Sequence, residues 1–182
     1  MGRSSGALDR VDRSAAAVAR RRRFGAGVLA LEIEDILAIL PQRPPLLMLD
    51  RVVSLVPGEH AVAVKHVSGD EAGLDHHRHG FVFPSTFAVE SLSQLGQILA
   101  ANIAVPEDRD LKEPWPELVA VGNLTVHREL LAPGTIHLSV STVGREKSDD
   151  GGERVTCVGE GSVDEGLFLE VKLELRCPPR EA

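Results

Sequence analysis

Hydrophobic positions recur at helical spacing in one long stretch of this chain. From Ser85 to Asn102, Ala88, Leu92, Leu95 and Leu99 return at steps of four, three and four, and Phe87 and Ile98 widen the stripe. Ser85 or Thr86 is placed to cap the start of this helix, after Pro84. A shorter helical pattern, Glu34 to Leu40, is stopped by Pro41 and the Arg43-Pro44-Pro45 turn. Two strands are predicted before the long helix, Leu46 to Leu55 and Ala61 to Val67, joined through Pro57-Gly58. Between Ser68 and Phe83 no period stands out, and the segment, crowded with charge and histidine, reads as an ordered loop. After the polar connection Pro106 to Pro116, four strands are predicted: Leu118 to His127, Thr135 to Val143, Arg154 to Val163 and Leu167 to Arg176. Turns at Pro133-Gly134, Asp149-Asp150-Gly151-Gly152 and Asp164-Glu165-Gly166 separate the four. In the final strand Leu167, Leu169, Val171, Leu173 and Leu175 point one way, and Glu170, Lys172, Glu174 and Arg176 the other.

The order is thus helix, two strands, long helix, four strands. Hairpin links imply an antiparallel sheet. Its apolar face needs a cover, and the 85–102 helix is the candidate long enough to provide it. The expected class is α+β, an antiparallel sheet wrapped around one long central helix. At 182 residues the chain suits one such domain, placed at 31–178, behind a basic leader at 1–30.

Charge is unevenly divided. Residues 1–30 hold seven arginines against Asp9 and Asp12, a balance of +5, so the remainder carries −12 of the total of −7. An acidic body argues against nucleic acid or an anionic membrane as partner. The aromatic content of 3%, with no tyrosine, removes the stacking platforms of a single-strand binder. Ala19-Arg20-Arg21-Arg22-Arg23 reads as a solvated leader, with an electrostatic tether as the alternative. The apolar run from Phe24 is broken by Glu32 and Glu34, so a secretory signal is not expected, and no stretch has the length of a membrane span. Two cysteines, Cys157 and Cys177, suit a reduced, cytoplasmic protein and offer no metal spacing.

Two groups of residues carry candidate chemistry. Glu90, Gln94 and Gln97 fall on one stripe of the long helix. On an ordinary amphipathic helix that stripe is a solvated face; on a helix enclosed by strands it has little solvent to meet. A buried carboxyl tends to stay protonated unless partnered, and a protonated carboxyl can act as a general acid. Gln94, one turn on from Glu90, is placed to hold it. The second group is Asp75-His76-His77-Arg78-His79-Gly80. From the residues alone it is open between a metal site, a hydrated loop and a catalytic base. The metal reading lacks a cysteine or a second histidine cluster to complete four ligands, whereas an imidazole titrating near pH ~6.5 suits proton abstraction.

The stretch Ile36-Leu37-Ala38-Ile39-Leu40-Pro41-Gln42-Arg43-Pro44-Pro45-Leu46-Leu47-Met48-Leu49-Asp50-Arg51-Val52 resembles the opening Ile-Leu-Pro-His-Arg-x-Pro-Phe-Leu-x-x-Asp-Arg-Val of the hot-dog 3-hydroxyacyl-acyl-carrier-protein dehydratases of type II fatty-acid synthesis. Members also carry Gly-His-Phe-Pro-Gly, Pro-Val-Met-Pro-Gly and a helix with Glu-Ala-x-Ala-Gln, the catalytic His and Glu fourteen residues apart. Here Glu90-Ser91-Leu92-Ser93-Gln94 takes the helix motif, Val82-Phe83-Pro84-Ser85 the Val-Met-Pro-Gly, and the histidine falls on His76. The likeness covers roughly residues 33–176. It departs at Asp75-His76-His77-Arg78-His79, which keeps only the histidine of its motif, and at Ser85, which stands where the family has glycine.

The resemblance implies a hot-dog fold and a hydro-lyase that turns (3R)-3-hydroxyacyl thioesters on acyl carrier protein into trans-2-enoyl thioesters, in fatty-acid or polyketide-type synthesis. It implies His76 and Glu90 as the catalytic pair, with Ser85, Gln94 and Phe83 at the substrate. It implies no metal, no dissociable cofactor, and a homodimer or larger homo-oligomer whose sites take His76 from one subunit and Glu90 from the other. An aspartate in place of Glu90 would have pointed to the dehydratase–isomerase branch. Two other readings share the scaffold: an acyl thioesterase, and a non-catalytic subunit that pairs with an active dehydratase.

Overall fold

The computed structural model of the chain describes residues 23–24, 28–68, 75–77, 80–101, 115–164 and 166–179, and for residues 23, 24, 75–77, 80, 81 and 132 the description is of the backbone. The six strands expected from the sequence occupy six adjacent places in one antiparallel sheet. They are β3 (Arg51–Val56), β4 (His60–Val67), β7 (Glu117–Val126), β9 (Gly134–Lys147), β10 (Glu153–Val163) and β11 (Gly166–Cys177), in the spatial order β3-β4-β9-β10-β11-β7. Beyond β3 the sheet continues through β2 (Val28–Leu31) and β1 (Arg23–Phe24). The sheet therefore begins before residue 31. Val28, Leu29, Ala30 and Leu31 are too short a run to show a period, yet Leu29 and Leu31 pair with Leu55 and Val52. The rest of the predicted leader, residues 1–22 and 25–27, lies outside the described residues.

Helix α1 (Ile33–Ile39) precedes β3, and the long helix α2 spans Ser85–Ala100. Every residue of α2 from Ser91 to Ala100 is buried, as is Ala88. The sheet's inner rows, such as Ala61 and Ala63 of β4, Leu138 and Val140 of β9 and Leu173 and Leu175 of β11, close over it. Two glycines set how near the helix can lie. A Cβ on Gly159 of β10 would stand 3.3 Å from both Leu92 methyl carbons, and one on Gly96 of α2 would stand 3.2 Å from Leu175 Cδ1. This is the α+β hot-dog arrangement, a sheet curled about one helix. No described helix is long and apolar enough to cross a membrane.

Four local expectations change. The run Leu46 to Asp50 is not strand: the Leu46 and Leu47 amides donate back to the Arg43 carbonyl, at 2.9 and 3.2 Å, and β3 starts only at Arg51. The segment read as an ordered loop from 68 to 83 contains a hairpin, β5 (Asp75–His77) with β6 (Gly80–Phe83), which joins β8 (Leu130–Ala132) in a second, three-stranded sheet. Strands this short leave no alternation to read. In β11 the register against β10 shifts between Gly161 and Ser162, so Phe168 is the extra residue of a bulge. Phe168 is thereby buried in place of Leu167, its ring seated where Gly161 has no side chain. Finally, neither Ser85 nor Thr86 caps α2; Pro84 does, its carbonyl accepting from the Phe87 and Ala88 amides at 3.0 and 3.3 Å.

Candidate functional site

The small sheet and the central helix meet at Pro84. Strand β6 ends at Phe83, and one residue later α2 begins. Phe83 is buried and meets Phe87 edge-on, ring centroids 5.8 Å apart, which anchors the strand-to-helix corner. His76 belongs to β5, where it pairs with Phe81 of β6. Its side chain lies outside the described residues, as do Arg78 and His79.

Ser85 is the first residue of α2 and is half-buried. Because Pro84 has no side-chain oxygen to offer, no side-chain cap engages the first turn, and that turn carries no acidic residue. The Ser85 and Thr86 amides precede the first backbone bonds of the helix, which start at Phe87. Two N–H groups at the positive end of the helix dipole thus stand beside the corner.

One and a half turns further on lies Glu90, half-buried, where the buried stretch of the helix begins. Gln94 Nε2 donates to Glu90 Oε1 at 2.8 Å and to the Leu46 carbonyl at 2.7 Å, while Gln94 Oε1 accepts from the Met48 amide at 2.9 Å. The orientation of this amide is settled by its partners, since a carbonyl can only accept and a backbone N–H can only donate. Gln94 is fully buried, and Gln97 is 8% exposed. The stripe Glu90, Gln94, Gln97 is therefore not a solvated face. It is a polar seam between α2 and the 42–48 segment, closed at its far end by Gln42 Nε2 donating to Gln97 Oε1 at 3.3 Å.

With one oxygen held by Gln94, Glu90 keeps its second oxygen for other business. The structure joins Glu90 to Gln94 and seats Ser85 and Phe83 at the same helix entrance; the His76 imidazole lies outside what it describes. Sequence reasoning missed the partners supplied by main chain, the Leu46 carbonyl and the Met48 amide. The signal was present in Pro44-Pro45, which interrupts strand pairing just where an apolar run begins. Among the described residues no group of three or more His, Cys, Asp or Glu side chains could hold a metal.

Gln94→Leu is expected to remove all three bonds while keeping volume. The buried Met48 N–H then loses its acceptor, at a cost of about 1–3 kcal/mol. Urea denaturation checks this: the midpoint should fall while the slope stays constant.

Residues 40–171 match the model of the FabA-like domain family. The chain is 27% identical over 153 residues to a 3-hydroxyacyl-acyl-carrier-protein dehydratase FabZ from Syntrophotalea carbinolica, covering 84% of this chain and 98% of that protein. It is 33% identical over 122 residues to the FabZ of an Anaeromyxobacter species, covering 66% of this chain and 77% of the relative. Among solved structures, the dehydratase heterocomplex ApeI:P from Xenorhabdus doucetiae superposes with a TM-score of 0.61 over 82% of this chain and 93% of that one. At 15% sequence identity, that likeness is one of fold.

Proposed function

The chain belongs to the FabA-like domain family, and on that premise we propose that it dehydrates 3-hydroxyacyl thioesters carried on an acyl carrier protein. The observation that carries the reading is the Glu90 carboxyl, held through one oxygen by Gln94 at the edge of a helix buried for its next ten residues. That is a placement suited to a general acid: held by a hydrogen bond, half-buried, with the second oxygen unbonded among the described residues.

In the proposed reaction His76 takes a proton from C2, the C3–O bond breaks, and Glu90 protonates the departing hydroxyl. A double bond forms between C2 and C3, and water leaves. Negative charge gathers on the thioester oxygen as the C2 proton departs, and the Ser85 and Thr86 amides supply hydrogen bonds and the helix dipole to meet it. Phe83 and Phe87 wall the corner against water. The substrate is the (3R) isomer and the product the trans-2-enoyl thioester, in fatty-acid or polyketide-type synthesis, with the phosphopantetheine arm delivering it; neither metal nor dissociable cofactor enters. The test is purified protein with a 3-hydroxybutyryl thioester of the carrier protein, followed by ultraviolet absorbance of the enoyl product. A rise in absorbance is expected. Release of free thiol instead would make the chain a thioesterase. Inactivity alone, relieved by a second hot-dog chain, would make it a non-catalytic partner.

The active unit in this reading is a homodimer built on β7. This strand lies at the end of the sheet, paired with β11 only, so its other edge is open among the described residues. Val121 and Val126 stand opposite Leu173 and Leu169, on the side of the sheet that α2 covers elsewhere, yet each is 46% exposed. An unpaired edge with an uncovered apolar row is a template for a second strand. Val121→Lys together with Val126→Lys should convert the dimer to a monomer in size-exclusion chromatography with light scattering. An unchanged mass would remove β7 from the interface.

A further inference from the structure

The inner row of β4 contains a side chain that apolar packing does not explain. Ala61, Ala63 and Val67 of that row are buried in the core, and between them stands Lys65, 9% exposed and opposite buried Ile136 of β9. Among the described residues it is the one buried cation. An ammonium in such a row is costly unless its charge is met. Here Lys65 Nζ donates to the His66 carbonyl at 2.8 Å and lies 3.6 Å from Asp50 Oδ1. Asp50 is tied to the same strand end twice more. Its amide donates to the Val64 carbonyl at 3.1 Å, and its Oδ2 accepts from the His66 amide.

Two parts of the candidate site converge on this joint. Asp50 closes the irregular segment whose Leu46 carbonyl and Met48 amide hold Gln94, and Gln94 holds Glu90. Between Met48 and Asp50 stands Leu49, 1% exposed and packed in the core, so a shift of Asp50 has little slack to absorb it before the Met48 amide. On the other side, β4 leads through residues 68–74 into β5, the strand of His76. The joint also lies at the helix-entrance end of the sheet. Val67 pairs with Gly134, two residues beyond β8, and β8 pairs with β6, which runs into α2. The Asp50 side chain is 36% exposed, so its ion pair adds little to stability. What the pair supplies is geometry.

We infer that Asp50 and Lys65 are positioning residues for Glu90, acting through the 46–48 segment and Gln94. The inference rests on the dehydratase reading and adds to it two residues with no part in the proton transfers. A carboxyl that protonates a departing hydroxyl must stay within hydrogen-bond reach of it, and a misplacement of about 1 Å costs on the order of a hundredfold. The link from the joint to Glu90 is indirect, so a loss of about tenfold is expected.

The test measures kcat and KM for Lys65→Met and Asp50→Asn on a 3-hydroxybutyryl carrier protein, in the native background and again beside Glu90→Gln. Lys65→Met keeps the aliphatic stem, and Asp50→Asn keeps an acceptor for the His66 amide. In the native background each should lower kcat about tenfold while KM stays within about twofold. Beside Glu90→Gln each should change the residual rate by less than about twofold, because a group that acts through Glu90 then has no acid left to place. Should Lys65→Met fail to fold, the nearly isosteric Asp50→Asn is read in the same way. Native kcat in the single variants, or equal losses in both backgrounds, would overturn the inference and leave the dehydratase reading standing. No turnover by the native protein would overturn that reading, and the positioning role with it.

Discussion

Glu90→Gln should lower turnover by roughly a hundredfold or more, the scale of a general acid removed from a proton-transfer step. The substitution keeps size and shape, and the new side chain still offers an oxygen to Gln94 Nε2, which now bonds Glu90 Oε1 at 2.8 Å. Gln94 retains its bonds to Leu46 and Met48, so the seam between α2 and the 42–48 segment survives. Substrate affinity and thermal melting are therefore expected to stay near those of the native protein, and the whole effect should appear in kcat. Steady-state kinetics beside a melting curve separate this from a folding defect. Turnover within a few-fold of native would remove Glu90 from the chemistry.

The second large effect is expected at His76. His76→Ala should cost roughly a hundredfold or more in kcat, while His77→Ala should leave turnover nearly intact. The reverse outcome would move the base one residue along β5. Mixing the two inactive proteins tests where the pair is assembled. If His76 of one subunit works with Glu90 of the other, a hybrid dimer has one site with both groups intact and one with neither. Randomly exchanged His76→Ala and Glu90→Gln chains should then regain about a quarter of native activity, half the dimers being hybrids with one working site in two. If each chain supplied both groups to its own site, mixing would restore nothing.

The origin of the polar seam explains why such sites are only half visible in a sequence. Glu90, Gln94 and Gln97 share a face of α2 by helical geometry, which spacing alone shows. Whether that face meets water depends on what lies over it. Here the cover is an irregular segment held by the Leu46 carbonyl and Met48 amide, groups every residue possesses, so no residue type announces them. The same limit appears at β11. Alternation assigned Leu169, Val171, Leu173 and Leu175 to the interior, and they are buried. At Phe168 one inserted residue in the ladder reversed the parity, because Gly161 opposite leaves room for a ring.

Pattern by itself determined the long central helix, the six main strands and the polar row on the helix, since periods of 3.6 and two residues write burial directly into residue choice. The motifs added a histidine and a glutamate fourteen residues apart. Tertiary structure alone decided that β2 joins the sheet, that β5 pairs with β6 and β6 with β8, and that Gln94 ties Glu90 to the 42–48 segment. Each of these rests on backbone hydrogen bonds or on contacts between residues far apart in the chain. Backbone donors and acceptors are the same at every position, so only the folded arrangement selects among them.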